Sequence, residues 1–525
     1  MEEPALTLPR AAASLERIDS CFARLHQGPG EVFKVRLPLR LRIDGELIDL
    51  SGVDRRREAC LEEEAVHRRL ESGVSLGVVA LTLDAEGQAR FGGEGSPIDW
   101  ALHMRRLPAA DRLDRRLEEE RLGEQDLDAV ARHLARIHGR ARRIDPQADP
   151  LEALRALARA RIEVMDGPRG SPLPAEAGRA EAWQLEWITA HADRLRERSR
   201  HSTLREGHGE LGLEHVFVDD EGRVSLLAGL EGMPLPRLVD VTADVAFLAT
   251  GLAGRHRVDL AERFVAAYAE AAQDFDLYPL LDFHTSLGAS RRAKVAWLCA
   301  DRAASGDGRD AGSMRRRAHT LFALALAAPR RPLLPAAVVA MGGQVAIGKS
   351  TLARHIGERI GAPVVGSDAT RDHLLDTGLE AGAHEARWAL AYAPGFGDRV
   401  YEEVLRRAGE VLRSGRPVVI DGCFRSRSQR QRARRLAERF GRPFLFVEAS
   451  VSRSVQRGRL LERAERDGVD VDAWQEIADT LRSDWETTEG LSDEEHLLLD
   501  TAVPLERNAA AIEARLPTWP PDLTG

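Results

Sequence analysis

Residues 343 to 351 read Gly343-Gln344-Val345-Ala346-Ile347-Gly348-Lys349-Ser350-Thr351 and meet the pattern G-x-x-x-x-G-K-[ST] at every fixed position. Residues of these types at this spacing do phosphate chemistry. The loop's backbone N–H groups can surround a polyphosphate, and the helix that follows adds a favourable dipole at its N-terminus. A lysine at position 349 reaches the outer phosphates, and the Ser350 hydroxyl can bind a divalent cation. The apolar run Ala336 to Met341 precedes the loop, and Thr351 to Ile360 follows with helical character. Strand, glycine loop and helix together give the pattern its meaning.

Further candidates follow the loop. Gly366-Ser367-Asp368-Ala369-Thr370-Arg371 comes after a second apolar pair, Val364-Val365. Asp368 can orient or deprotonate an acceptor hydroxyl, and Arg371 can hold an anionic group of that acceptor. A helix-capping role competes for Asp368. Val418-Val419-Ile420 ends in Asp421-Gly422. An aspartate there can complete a metal shell beside the Ser350 hydroxyl, and capping competes again. Arg453, Arg457, Arg459 and Arg463 share a helical stretch, with Arg459 and Arg463 on one face at i,i+4. Such arginines can neutralise charge on a transferring phosphoryl group. Trp388, Tyr392 and Phe396 are either an acceptor pocket or core.

The elements that must position these residues change character along the chain. Pro329, Pro332 and Pro335 mark a stiff linker, and Asp166 to Pro174 forms a second Gly/Pro-rich break. Before the linker, strand signals (Val32 to Ile43, Gly77 to Leu83, Ser96 to Leu107) give way to helical ones. Leu127 to Ile137, Ala180 to Leu195 and Leu260 to Ala272 carry the helical pattern. After Pro335, strands at Ala337 to Met341, Val364-Val365, Pro417 to Asp421 and Phe444 to Glu448 alternate with helices. That alternation predicts a parallel sheet covered on both faces.

At 525 residues the chain exceeds one ordinary core, so two or three domains are expected, and the proline linker divides it into residues 1–330 and 335–525. A net charge of −9 supplies no general attraction to nucleic acid. Cys21, Cys60, Cys299 and Cys423 lack disulfide or zinc spacing, which fits a reducing compartment. The opening residues lack a leader's apolar core, and no run nears the ~20 residues a bilayer span needs. A cytoplasmic protein without membrane partners is expected. Among 75 Lys plus Arg only Lys34, Lys294 and Lys349 are lysine. Arginine does not replace a compact ammonium at a phosphate, so a retained lysine marks a candidate site.

Ala336 to Ala502 resembles the predicted-kinase group of P-loop proteins related to polynucleotide kinase, gluconate kinase and zeta-toxin-like enzymes. The resemblance rests on Gly343 to Thr351, Ser367-Asp368 with Arg371, the Asp421 strand end, and the arginine stretch ending in Val471-Asp472-Ala473. It implies a doubly wound P-loop sheet, ATP with Mg²⁺, and transfer of the γ-phosphoryl group to a hydroxyl. The acceptor is either a small molecule or a nucleic-acid end. This loop carries Val345, Ala346 and Ile347 where relatives usually have Ser and Gly.

Residues from about 30 to 300 resemble aminoglycoside-phosphotransferase-like domains, which are protein-kinase-like α+β folds. The matching stretches include Phe33-Lys34-Val35, Arg55 to Leu70, His103 to Pro108, His208-Gly209-Glu210 and Asp240 to Leu248. The resemblance puts Lys34 at the ATP-lysine position with Glu63 as its partner. The family's H-G-D-x-x-x-x-N reads His208-Gly209-Glu210 to His215, and the later metal Asp falls at Ala228. Loss of both metal ligands implies a degenerate domain, and a nucleotide-binding regulatory protein is the alternative to a kinase.

Overall fold

The computed structural model describes residues 10–43, 46–143, 149–160, 162–165, 171–200, 204–209, 211–228, 238–304, 310–327, 333–378, 395–467 and 485–518. Glu210, Glu231, Trp388, Tyr392, Val471 to Ala473 and most of the proline linker lie outside them. The chain forms two compact units. One is Met1–Arg257 with Leu281–Pro329, and the other is Val258–Leu280 with Arg330–Gly525.

In the first unit, seven strands form an antiparallel sheet: β1 (Arg10–Ala11), β2 (Glu16–Asp19), β3 (Ala23–Gln27), β4 (Glu31–Arg36), β5 (Ser75–Leu83), β6 (Ala89–Phe91) and β7 (Pro97–Arg105). Their order is β1-β6-β5-β7-β4-β3-β2. Helix α1 (Val53–Arg69) faces this sheet and turns Cys60, Glu63, Val66 and His67 inward. Val32 to Ile43 is not one strand. It breaks after Arg36 and resumes at Arg40, around Pro38. Ala180 to Leu195 likewise divides into helices Ala175–Ala190 and Ala192–Arg200. Helix α2 (Val241–Ala253) is capped by Asp240, whose carboxylate accepts the Thr242 N–H at 2.8 Å.

The second unit contains the predicted parallel sheet. Its strands are β8 (Val338–Gly342), β9 (Val364–Gly366), β10 (Val418–Asp421), β11 (Phe444–Ser450) and β12 (His496–Asp500), in the order β9-β10-β8-β11-β12. Every neighbour is parallel. All five residues of β8 are buried, as expected of a strand covered on both faces. Val339, Met341, Val419, Leu445 and Val447 pack on one side against Leu352, Ala353, Ile356 and Ile360 of helix α4 (Lys349–Ile360). The strand β12 was not among the expected strands.

The second unit also includes helix α3 (Val258–Ala272) and the segment to Leu280, which the sequence places inside the first domain. Side chains hold it in place. Arg416 makes a buried bidentate ion pair with Glu262, its N–H groups donating at 2.7 and 3.1 Å. Glu270 accepts the Val364 N–H at the start of β9 at 2.9 Å. Arg263 pairs with Glu358 at 2.6 Å, and Arg406 pairs with Asp276 at 2.6 Å. No described helix is long and apolar enough to cross a membrane.

Candidate functional site

Strand register builds the site. Asp421 is the partner of Met341 on one side and of Gly366 on the other. The glycine loop, the Asp421 carboxylate and the segment from Ser367 therefore leave the sheet at one carboxyl edge, where open α/β sheets bind ligands.

Gly343 and Gly348 have φ of 131° and 94°, conformations that favour glycine. A Cβ on Gly343 would lie 2.6 Å from the Ala449 carbonyl oxygen. Ala346 also adopts the left-handed region at φ 58°, which costs an L-residue about 1 kcal/mol. The loop thus keeps the left-handed conformation where this chain has Ala. Gly343 N–H donates to the Cys423 carbonyl at 2.9 Å, joining the loop to the end of β10. Lys349 opens α4, is buried, and donates from Nζ to the Gln344 carbonyl inside the loop. Ser350 and Thr351 follow it, both exposed.

Burial raises the Asp421 carboxyl above its ordinary value, while the Lys349 ammonium and the Ser350 hydroxyl act the other way. Its Oδ1 is shut off from solvent and has no hydrogen-bond partner. A buried oxygen without a partner is costly, and it suits a cation ligand. Among the described residues no cluster of three His, Cys, Asp or Glu could hold a metal. One carboxylate and one hydroxyl beside a phosphate loop fit Mg²⁺, which takes few protein ligands and keeps waters and phosphate oxygens.

Asp368 lies in the first turn of α5 (Ser367–Gly378), two residues beyond Gly366. Its side chain is 66% exposed and Oδ1 pairs with Arg371 Nη1 at 2.6 Å. The two residues expected on the acceptor side therefore share one face of α5. Behind them Thr370 is buried, and its Oγ1 accepts from Arg407 of α6 (Phe396–Arg413) at 3.1 Å. The same Arg407 Nη1 donates to Gln273 at 2.7 Å. Phe396 is buried at the start of α6.

Sequence reasoning missed Tyr401. Its hydroxyl accepts the Phe424 N–H at 2.8 Å, and burial pushes the phenol above its ordinary value, so it stays protonated. A Cβ on Gly422 would come within 2.8 Å of that hydroxyl. The Asp-Gly pair at 421–422 was the available signal: glycine there lets the tyrosine approach the strand end.

After helix α7 (Arg427–Arg439), helix α8 (Arg453–Asp467) carries the expected arginine stretch. Arg459 turns toward the glycine loop. Its Nη1 donates to the Ile347 carbonyl at 2.8 Å and to Thr501 Oγ1 at 3.0 Å, and Nη2 donates to the Thr501 carbonyl at 3.1 Å. Its guanidinium is committed to the loop and to the end of β12. The side chain of Arg463 lies outside the described residues. Gln456 and Thr501 were also missed. Gln456 is buried and donates to the Val345 carbonyl at 2.9 Å. Thr501 Oγ1 donates to the Ile347 carbonyl.

The first unit keeps one part of a kinase site. Lys34 on β4 pairs with Glu63 of α1 at 2.8 Å, and Arg36 bonds the other carboxylate oxygen. Burial opposes both charges. It pulls the Lys34 ammonium below its ordinary value, whereas Lys34 and Arg36 overcome it at Glu63 and bring that carboxyl down to about 2. His215 is buried and its Nδ1 accepts the Gly212 N–H at 3.1 Å, which makes it structural. His208 Nε2 donates to the Leu227 carbonyl at 2.7 Å. Ala228 is buried and offers no metal ligand.

An AAA domain family matches residues 338–486, and the strand order and loop above are those of a P-loop kinase-like domain. The chain is 30% identical over 486 residues to uncharacterized proteins of Mycobacterium tuberculosis and Mycobacterium bovis, covering 91% of this chain and 90% of theirs. Among solved structures, a putative kinase from Chloroflexus aurantiacus is 18% identical with a TM-score of 0.29, covering 35% of this chain and 99% of that one. A gluconokinase from Sinorhizobium meliloti is 25% identical with a TM-score of 0.24, over 35% and 94%. A choline/ethanolamine kinase family protein from Mesorhizobium loti is 14% identical with a TM-score of 0.36, over 61% and 88%. The chain belongs to the family of the mycobacterial proteins.

Proposed function

We propose that this member of that family is an ATP-dependent phosphotransferase whose second unit moves the γ-phosphoryl group of ATP to a hydroxyl. The observation that carries the reading is the Asp421 Oδ1, buried without a partner beside Lys349 and Ser350 at the mouth of the glycine loop. Ser350 and Asp421 would hold Mg²⁺, which supplies charge neutralisation across the phosphates when bound. Lys349 holds the outer phosphates. Arg371 grips an anionic group of the acceptor and orients Asp368 through their ion pair. Asp368 takes the proton from the acceptor hydroxyl, a general-base role. The acceptor is a small molecule or a nucleic-acid 5′ end, and the protein works in the cytoplasm.

A second reading concerns the first unit. Lys34 and Glu63 keep their ion pair while Ala228 and His215 stand where metal ligands are needed. That combination favours a pseudokinase that binds a nucleotide or regulator without transferring phosphate. The test of the main reading is transfer from γ-labelled ATP to a panel of sugars, nucleosides and RNA or DNA 5′-hydroxyl ends. We expect one acceptor class to be labelled, and Lys349→Ala to abolish labelling while thermal unfolding stays unchanged. Equal labelling by Lys349→Ala and the parent would remove the loop from the reaction.

A further inference from the structure

Two side chains of α8, one of them the Arg459 expected at a transferring phosphoryl group, hold the outer side of the phosphate loop. Gln456 Nε2 donates to the Val345 carbonyl at 2.9 Å and approaches Gln344 Oε1 at 3.3 Å. Arg459, three residues on and so on the same helical face, donates to the Ile347 carbonyl at 2.8 Å. Thr501 donates to that same carbonyl, so both its lone pairs are used. Arg459 also lies over the loop's second glycine. A Cβ on Gly348 would be 3.1 Å from its Nη1.

A trans peptide is planar, and its C=O and N–H point in opposite directions. Fixing the Val345 carbonyl outward therefore aims the Ala346 N–H inward, and fixing the Ile347 carbonyl outward aims the Gly348 N–H inward. These N–H groups are donors that a phosphate would meet. The Val345–Ala346 peptide needs such support, because Ala346 sits at φ 58° without a glycine's freedom. The positive charge of Arg459 on the Ile347 carbonyl also polarises that peptide, strengthening the N–H on its far side.

We propose that Gln456 and Arg459 are positioning residues that pre-set the phosphate-loop donors of Ala346 and Gly348, rather than groups that touch the transferring phosphoryl or the nucleotide base. This rests on the glycine loop being the nucleotide site. The loop's affinity for phosphate then depends on α8, and the dependence is on the phosphates and not on the base.

Gln456→Ala, Arg459→Ala and Arg459→Lys in the full chain, each compared with the parent, test this by calorimetric binding of ATP and of inorganic tripolyphosphate, both with Mg²⁺. We expect Arg459→Ala to weaken both ligands by the same factor, about ten-fold or more, the effect of one charge-assisted hydrogen bond. Gln456→Ala should weaken both equally and by less, and Arg459→Lys should recover part of the loss. Thermal unfolding of Gln456→Ala should match the parent, which separates loop geometry from folding. Loss of ATP binding with tripolyphosphate binding retained would overturn the proposal, because Arg459 would then be holding the base. Parent-like affinities in Arg459→Ala and Gln456→Ala would overturn it too. A parent that binds neither ligand would instead overturn the nucleotide-site reading itself.

Discussion

Asp368 shows how a residue can be in the right place and still depend on a neighbour. Its carboxylate is 66% exposed, and its Oδ1 is paired with Arg371 at 2.6 Å. That pair aims the carboxylate along one face of α5. Asp368→Asn keeps the size and removes the proton acceptor. Phosphoryl transfer to the labelled acceptor should fall about 10²–10⁴-fold, the usual contribution of a general base. ATP affinity should stay within about two-fold, because Asp421 and not Asp368 borders the loop. Normal transfer by the variant would leave Asp368 a first-turn acidic residue of α5. Lost ATP binding would move it into the metal shell. Residues like these were legible in the sequence because their chemistry is local: a glycine needed at φ 94° or a lysine at the head of a helix is written into a short motif. Tyr401 had only the Asp-Gly pair at 421–422 to signal it, and Gln456 and Thr501 were not legible. Each of those two acts through a contact with the glycine loop from far along the chain, and no spacing in the sequence announces it.

At the scale of elements, the sheet followed from its apolar runs, since β8, β10 and β11 are mostly buried strands. The runs marked four strand segments and left β12 unnoticed, although His496-Leu497-Leu498-Leu499-Asp500 is also an apolar run. The place of α3 could not be read from the sequence. Its amphipathic pattern says that it buries one face, and nothing in the pattern says against what. The partners are distant arginines, and one of them gives a sharp expectation. Arg416 is about 1% exposed and its charge is met by Glu262. Glu262→Ala in the full chain would remove the buried carboxylate that meets that guanidinium, at a cost of about 3–5 kcal/mol. Glu262→Gln, which keeps a hydrogen-bond acceptor, should cost less. Urea unfolding of the second unit reads the difference, and a Glu262→Ala protein as stable as the parent would show that α3 contributes little to that unit. The same contacts predict that residues 335–525 expressed alone are less stable than the unit that includes Val258–Leu280.

At the scale of the whole molecule, two cores in one chain should respond to different variables. ATP bound at the second unit's glycine loop should raise that unit's unfolding temperature by mass action, and it should leave the other transition in place where the first unit binds a regulator and not a nucleotide. Mild acid should do the reverse. His284 is fully buried in the first unit, both ring nitrogens lack hydrogen-bond partners, and burial pushes its pKa down to about 4. Burial also lowers His26 and His133 of the same unit. An unfolded histidine takes up its proton below about 6.5. Between that value and about 4 the unfolded state binds more protons than the folded one, so stability falls as pH falls. From pH 6.5 to pH 5 the His284 contribution alone is about 2 kcal/mol. Glu63 does not offset this loss, since its carboxyl is held down to about 2 and unfolded carboxyls titrate near 4. In the second unit His373 is lowered too, but it is only half-buried and its share is correspondingly smaller. Scanning calorimetry at pH 7 and pH 5, with and without Mg-ATP, should therefore show an acid-sensitive transition that ATP does not move and an ATP-sensitive transition that acid moves less. His284→Leu should blunt the acid response of the first transition. If both transitions shift together with ATP and with acid, the chain unfolds as one cooperative body, and its two cores do not have separate stabilities.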